Sequence, residues 1–388
     1  MVKSKGKNPS KKIICICHGD SSDISTWSNV PYLVTQELMQ NGYTLHRVNI
    51  APPRLWQILY NRTIFKVLSL FCAGHEYDFN RTLLYTLWAN RVISKNIRNH
   101  SDAAFCLFFT YSFCNKVSKI PSVLLCDWTF ETLIRDRKKR APYWFEKTYI
   151  KLQRRAIATA EYVISLFPKC ADAIQTQVPT VKLLSPGKLP INNNDCEPIV
   201  SEELITLKQT KNRVLFIGRQ NYIEACVKLI ESISILNKCG AKNYELHIIG
   251  LTPKDLPKEI NIENIYFYGF LHKDIDTERD LYYKLIRQAT IFANPTPEWG
   301  GYSSMLEAML YCTPVLVAAY PELVSEFGNN IDFGIYTEFN AQDIANSIDT
   351  VVANPNYSTI ALNAHNRVKD RTWSKYVKEL LLQVKLQS

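Results

Sequence analysis

Short, wholly apolar runs alternate along the chain with stretches of helical apolar period, starting at residues 12–17 (K-I-I-C-I-C). A run of that length, closed by His18-Gly19-Asp20, predicts a buried strand. Pro31 suits a first helical turn, and residues 32–40 read as a helix that Asn41-Gly42 stops. Residues 45–50 are the next strand, which makes a β-α-β unit and predicts a parallel sheet. Buried-type strands follow at 104–110, 122–126, 162–166 and 181–184. Helices are expected over 81–97, 142–160 and 169–176, and residues 111–120 read as either a helix or a loop.

Residues 185–211 carry Ser185-Pro186-Gly187, then Asn192-Asn193-Asn194-Asp195, with few periodic apolar positions, and read as a linker. A second series opens at 213–217 (R-V-L-F-I) and continues through strands at 245–249, 265–268, 290–293 and 314–318. Helices are expected at 222–236, 278–288 and 302–310, with three more at 341–352, 359–369 and 373–384. Strands alternating with helices in both halves predict an α/β protein with two doubly wound parallel sheets. A length of 388 residues also favours two domains.

The net charge of +10 asks for an anionic partner or a solvated basic surface, without choosing between them. Two stretches mix cations with aromatics. Residues 52–73 set Arg54, Arg62 and Lys66 among Leu55, Trp56, Leu59, Ile64 and Phe65. This fits an amphipathic helix pair on a membrane or a domain-edge helix with a basic outer face. The run R-D-R-K-K-R (135–140) and the basic-aromatic helix behind it suit anionic lipid or nucleic acid, or a core-packed helix with a solvated face. The eleven cysteines are scattered, with no C-x-x-C pair and no zinc spacing, and are expected to be reduced thiols of a cytosolic type of compartment. The basic start runs into a short strand, so no secretory signal is expected, and no apolar run is long enough to span a bilayer.

In an open parallel sheet, ligands bind beyond the carboxyl ends of the strands. Gly218, Gly250, Gly269 and the 294–301 turn each follow a predicted strand and are expected on one edge. Arg219 stands there too, and its planar guanidinium suits phosphate oxygens. Tyr302, Ser303 and Ser304 open the next helix, whose first N–H groups attract an anion. Glu298 and Glu307 bracket the glycine turn, and carboxylates accept hydrogen bonds from hydroxyls, so the stretch 291–318 suits a sugar joined to a phosphate. Each residue alone also has an ordinary reading: strand-end turn glycines, a surface arginine, a cap-region glutamate. Met305, Leu306 and Met309 read as core.

Taken together, F-I-G-R (216–219), H-I-I-G (247–250), Y-G-F-L-H-K (268–273), N-P-T-P-E-W-G-G (294–301) and L-E-A-M-L-Y-C-T-P-V-L-V (306–317) resemble glycosyltransferase family 4, the group 1 retaining enzymes of GT-B fold. The last block is the specific one, and T-W-S-N-V-P-Y (26–32) is similar to a loop of some members. The resemblance implies two Rossmann-like domains facing across a cleft. Residues 1–187 would bind the acceptor, 188–370 the nucleotide sugar, and 371–388 would form a helix packing back on the first domain. It implies that Arg219 and Gly218 bind the donor diphosphate and that Glu307 holds the ribose hydroxyls. Glu298 would face the transferred sugar, with Gly300, Gly301, Tyr302, Ser303 and Ser304 lining the diphosphate. Gly269, Phe270 and Leu271 would frame the base.

Two departures stand out. The family spaces its glutamates eight positions apart, whereas Glu298 and Glu307 are nine apart. Where the family tends to carry a lysine after the Arg219 position, this chain has Glu224. Either Lys273 completes the phosphate charge, or diphosphate binding is weakened and the chain is a degenerate member. On the acceptor side His18, Gly19, Asp20, Tyr111 and Asp127 follow strands. Asp127 and His18 are the catalytic candidates, and structural turn roles fit them equally.

The reaction implied is metal-independent sugar transfer with retention, from a UDP- or GDP-sugar to a glycan, lipid-linked or other hydroxyl acceptor, with no cofactor. A cytoplasmic location follows, with peripheral membrane contact through the basic amino-terminal surface as an option. The rival readings are a GT-B-fold epimerase or phosphorylase, a non-catalytic sugar-nucleotide-binding module, and a nucleic-acid binder, the last resting on net charge alone.

Overall fold

The structure, a computed structural model, describes residues 11–193, 195, 200–238, 240, 242–257, 259–297 and 302–387. The chain divides into two compact units: residues through Pro190 together with the segment from Trp373, and Ile191–Thr372.

The first unit is built on six strands: β1 (Lys12–Cys17), β2 (Thr44–Asn49), β3 (Phe105–Phe108), β4 (Ser122–Cys126), β5 (Tyr162–Ser165) and β6 (Leu183–Leu184). They pair in the order β2-β1-β3-β4-β5-β6, all parallel. The order reverses between β1 and β3. Ile13, Ile14, Cys15 and Ile16 of β1 are wholly buried, as unbroken apolar runs demand of a sheet covered on both faces. Helix Val30–Gln40 buries Val34 and Leu38 and packs against helix Trp373–Gln387, whose Val377 and Leu380 are fully buried.

The second unit repeats the plan with β7 (Asn212–Ile217), β8 (Tyr244–Ile249), β9 (Ile265–Phe267), β10 (Ile291–Asn294), β11 (Val315–Val317) and β12 (Gly334–Tyr336). The order is β12-β11-β10-β7-β8-β9, again parallel, and it reverses between β7 and β10. Helices Ile223–Lys238 and Ala341–Val352 cover one face. Ser232 Oγ of the first donates to Ala341 O of the second at 2.9 Å.

The structure adds a helix and a short strand to the sequence expectations, and gives form to two stretches that the sequence left open. The stretch read as a linker contains helix Glu202–Gln209, capped where Ser201 Oγ accepts from Leu204 N at 3.2 Å, and it buries Ile205 and Lys208. Residues 111–120 are irregular, because the Asn115 side chain bonds the backbone at Val117, Ser118 and Ile120 and competes with a helical ladder. The short strand β12 was not expected. Its Gly334 lies so close to β11 that a Cβ would sit 2.0 Å from Val315 O. Residues 52–73 form two helices, Arg54–Arg62 and Ile64–Phe71, broken at Thr63.

The charge run at 135–140 is also less free than its sequence suggests. Arg135 pairs with Glu131 at 2.9 Å, Lys138 with Glu76 at 2.6 Å, and Arg140 with Glu146 at 2.7 Å. All nine cysteines with described surroundings are free thiols, and burial pushes Cys15, Cys17, Cys106 and Cys226 up to about 12.

Candidate functional site

The second unit gathers its glycines at one edge. Gly218 N donates to Ile249 O at 3.0 Å, and Gly250 N donates to Gly269 O at 2.6 Å, so the carboxyl ends of β7, β8 and β9 meet. Gly250 has φ +99°, and a Cβ there would lie 2.3 Å from Gly218 O. Only glycine combines that backbone angle with that approach. Arg219, exposed, leaves this junction with its guanidinium 4.2 Å over the ring of Phe270, and it makes no ion pair among the described residues. Stacking holds the cation in place without neutralising it. Leu271, the next residue, is buried.

Asn294 ends β10 across the strand-order reversal from β7. It is fully buried, its Oδ1 accepts from the Thr296 hydroxyl at 2.5 Å, and its Nδ2 has no partner among the described residues. Glu298, Gly300 and Gly301 lie outside the described residues. Beyond them helix Ser303–Leu310 begins, with Tyr302 at its N-cap supplying no side-chain cap. Tyr302 is buried, and burial raises its phenol above the usual range. Ser303 and Ser304 occupy the first turn and stay partly exposed. Met305, Leu306 and Met309 are core, as their apolar pattern requires.

Glu307 is 4% exposed and does not stand alone. Its Oε2 accepts from Lys273 Nζ at 2.6 Å and from the Tyr282 hydroxyl at 3.0 Å. Lys273 also lies 4.3 Å over the Tyr282 ring. The structure therefore places Lys273 on a carboxylate. Tyr282 was not a sequence candidate: it sits mid-helix in Asp276–Gln288, 25 residues from Glu307, and no local pattern marks it.

In the first unit His18 follows β1 at the strand-order reversal. Its Nδ1 is 3.0 Å from the Tyr85 hydroxyl, which donates its one proton to Ile50 O at 2.7 Å. Nε2 lies farther from the same hydroxyl, at 3.5 Å, so the shorter contact assigns the proton to Nδ1 and the basic lone pair to Nε2. Burial, with a smaller contribution from Arg81, lowers His18 to about 4, so the ring is neutral near pH 7.

Asp127 follows β4. Its Oδ1 accepts from Trp128 N at 2.7 Å, and the Trp27 side chain also bonds it. Burial outweighs these bonds and raises the carboxyl. Trp27, Ser28 and Asn29 all have positive φ, a costly conformation for three successive residues with side chains. Tyr111, another strand-end candidate, is buried. Its hydroxyl lies 2.8 Å from both Cys126 O and Ile164 O and clasps the ends of β4 and β5.

Residues 211–354 match the model of a family described as glycosyl transferases group 1. No curated protein matches the chain. Among solved structures, the chain is similar to a sucrose-phosphate synthase from Thermosynechococcus elongatus (15% identity, TM-score 0.65, covering 97% of this chain and 100% of that one). It is similar to Anabaena HepE in complex with UDP-glucose (16% identity, TM-score 0.61, 97% and 99%). It is also similar to a UDP-forming α,α-trehalose-phosphate synthase from Burkholderia vietnamiensis (10% identity, TM-score 0.68, 98% and 99%). The fold is that of GT-B glycosyltransferases, two α/β units each built on a six-stranded parallel sheet.

Proposed function

We propose that the protein is a retaining glycosyltransferase that moves a sugar from a nucleotide-diphosphate sugar to an acceptor hydroxyl, without a metal. The observation that carries this reading is Arg219. It is an exposed cation with no carboxylate partner among the described residues, held over Phe270 where the ends of β7, β8 and β9 meet. A diphosphate is the ligand that such a cation, beside a strand-order reversal and a helix start, recognises best. The match of residues 211–354 to group 1 glycosyl transferases supports it, as does the UDP-glucose bound by the Anabaena neighbour.

In this reading Arg219 and the first turn at Ser303 and Ser304 stabilise the leaving diphosphate, an electrostatic contribution that grows as the bond breaks. Glu307, oriented by Lys273 and Tyr282, accepts from the ribose hydroxyls through Oε1. Gly269, Phe270 and Leu271 frame the base, and Glu298 with Gly300 and Gly301 faces the sugar and diphosphate. The bond from the anomeric carbon to the diphosphate oxygen breaks, and the acceptor oxygen bonds that carbon on the same face. The acceptor proton passes to the departing diphosphate. The first unit takes the acceptor, with His18 Nε2 and Asp127 as its polar groups.

The test is a thermal-stability and donor-hydrolysis screen of nucleoside diphosphates and their sugars. Stabilisation by one of them is expected, weakened about tenfold or more in affinity by Arg219→Ala and by Glu307→Ala. No response to any nucleotide would sink the reading. A second reading, a binding module without turnover, is favoured by Glu224, which is exposed in the first turn of helix Ile223–Lys238. Stabilisation without transfer or hydrolysis would select it.

A further inference from the structure

Helix Ile64–Phe71 buries none of its eight residues, although six of them are apolar. Leu70 and Phe71 are 80% and 82% exposed, and Ile64 and Val67 stand out beside them. The preceding helix, Arg54–Arg62, exposes Leu55 and Leu59 in the same way. Solvent alone does not favour so large an unpartnered apolar surface.

The two helices are nonetheless held firmly. Tyr60 is buried and donates to Tyr77 O at 2.8 Å, and Ser69 Oγ lies 3.1 Å from His75 Nε2. Just beyond the second helix, Tyr143 donates to Ala73 O and Arg140 to Gly74 O, each at 2.9 Å. Neighbouring elements extend the surface. Trp56 lies 6.2 Å from Trp88, next to the exposed Leu87. Trp144 is itself 78% exposed, and its ring adjoins Phe145, which packs on His75 beneath the second helix.

Charge identifies the occupant. No acidic residue occurs between Glu37 and Glu76. Arg54, Arg62 and Lys66 are exposed among the apolar groups, and none has a carboxylate partner among the described residues. A second copy of this face would set three cations against three, whereas anionic headgroups complement them. Neither helix is long enough to cross a bilayer. Both suit the interfacial plane, with leucine and aromatic side chains entering the acyl boundary and cations at headgroup level. We propose that helices Arg54–Arg62 and Ile64–Phe71 dock the protein on an anionic phospholipid bilayer. The 135–140 run, already ion-paired, is not the docking element.

The test is flotation of the full chain with vesicles of phosphatidylcholine alone or mixed with phosphatidylglycerol. Binding to the mixed vesicles is expected, falling as salt rises. The Leu70→Glu/Phe71→Glu variant should bind about tenfold or more weakly. The Arg54→Gln/Arg62→Gln/Lys66→Gln variant should lose about fivefold per charge removed, and Arg135→Gln should bind as the parent does. The substituted side chains of the two helices are exposed, so thermal melting of these two multiple variants should be unchanged.

Four results would overturn the proposal: no flotation with mixed vesicles, equal flotation by the Leu70/Phe71 variant, equal binding to phosphatidylcholine alone, or a lipid-free dimer that this variant dissociates. The assay contains no nucleotide, so its failure would leave the donor-site reading standing, and failure of that reading would leave this one standing.

Discussion

The Lys273 ammonium lies 2.6 Å from the Glu307 carboxylate, and both side chains are largely shielded from water. The lysine comes from the turn after β9 and the glutamate from helix Ser303–Leu310, so one ion pair fixes two elements of the second unit. Tyr282 completes a three-membered group on Oε2. A ligand that engages Glu307 therefore meets a carboxylate already held in one orientation.

Breaking this pair from either side strands a shielded charge. Lys273→Met is expected to destabilise the second unit by about 3 kcal/mol. Glu307→Gln keeps an acceptor for both donors and should cost less. In urea titrations the double variant should lose markedly less than the sum of the two single losses, since the residues touch. Additive losses would show that the pair does not act as a unit.

Gly250→Ala tests the junction beneath Arg219. The added methyl would sit 2.3 Å from Gly218 O at a backbone angle alanine avoids, so the β7 and β8 ends must separate. A loss of about 2 kcal/mol or more in stability is expected. Stabilisation by a nucleoside diphosphate should fall further than this loss explains, because Arg219 follows Gly218 directly. An unchanged nucleotide response in a folded variant would detach the glycine junction from the binding site.

Much of this arrangement was legible from local pattern. The buried strands β1, β4, β7 and β10 are continuous apolar runs, and Gly218, Gly250 and Gly269 mark strand ends by their turn chemistry. What escaped depends on contacts distant in sequence. Tyr282 reaches Glu307 only through the packing of two helices, and Tyr111 looked like a free strand-end group until its hydroxyl met the carbonyls of Cys126 and Ile164. Helix Glu202–Gln209 has a weak apolar period because one of its two buried side chains is a lysine. The apolar face at residues 54–71 was legible as an amphipathic pair, but its exposure was not: the same pattern serves a buried face equally well.

His18 carries a pH signature. Its folded value, about 4, lies below the ordinary 6.5, so the unfolded chain binds a proton that the folded chain refuses between those values. Stability should therefore be lost as pH falls from about 6.5 to about 4, by on the order of 2 kcal/mol once partial exposure is allowed for. His18→Gln should flatten that part of the profile. Nitrogen NMR should find the proton on Nδ1 near pH 7, and Tyr85→Phe, which removes its acceptor, should release that tautomer. A profile unchanged by His18→Gln would assign the acid sensitivity elsewhere.

Lys208 makes the opposite end of the pH range informative. It is fully buried, and its Nζ donates to Ile286 O at 3.0 Å, Arg287 O at 3.1 Å and Thr313 Oγ1 at 2.8 Å, closing the end of helix Asp276–Gln288. Burial lowers it to about 7 from 10.5, opposed by a smaller contribution from Cys312 and reinforced by the nearby Arg287 cation. Between these values the unfolded chain holds the extra proton, so stability should rise with pH, by at most about 1.4 kcal/mol per unit. Lys208→Met removes that rise and leaves the helix-end carbonyls without their donor. The variant should be less stable than the parent, and the gap between them should widen from pH 7 to pH 9 in urea titrations. A gap that stays constant over this range would mean that Lys208 remains charged in the folded protein, with its acceptors outweighing burial.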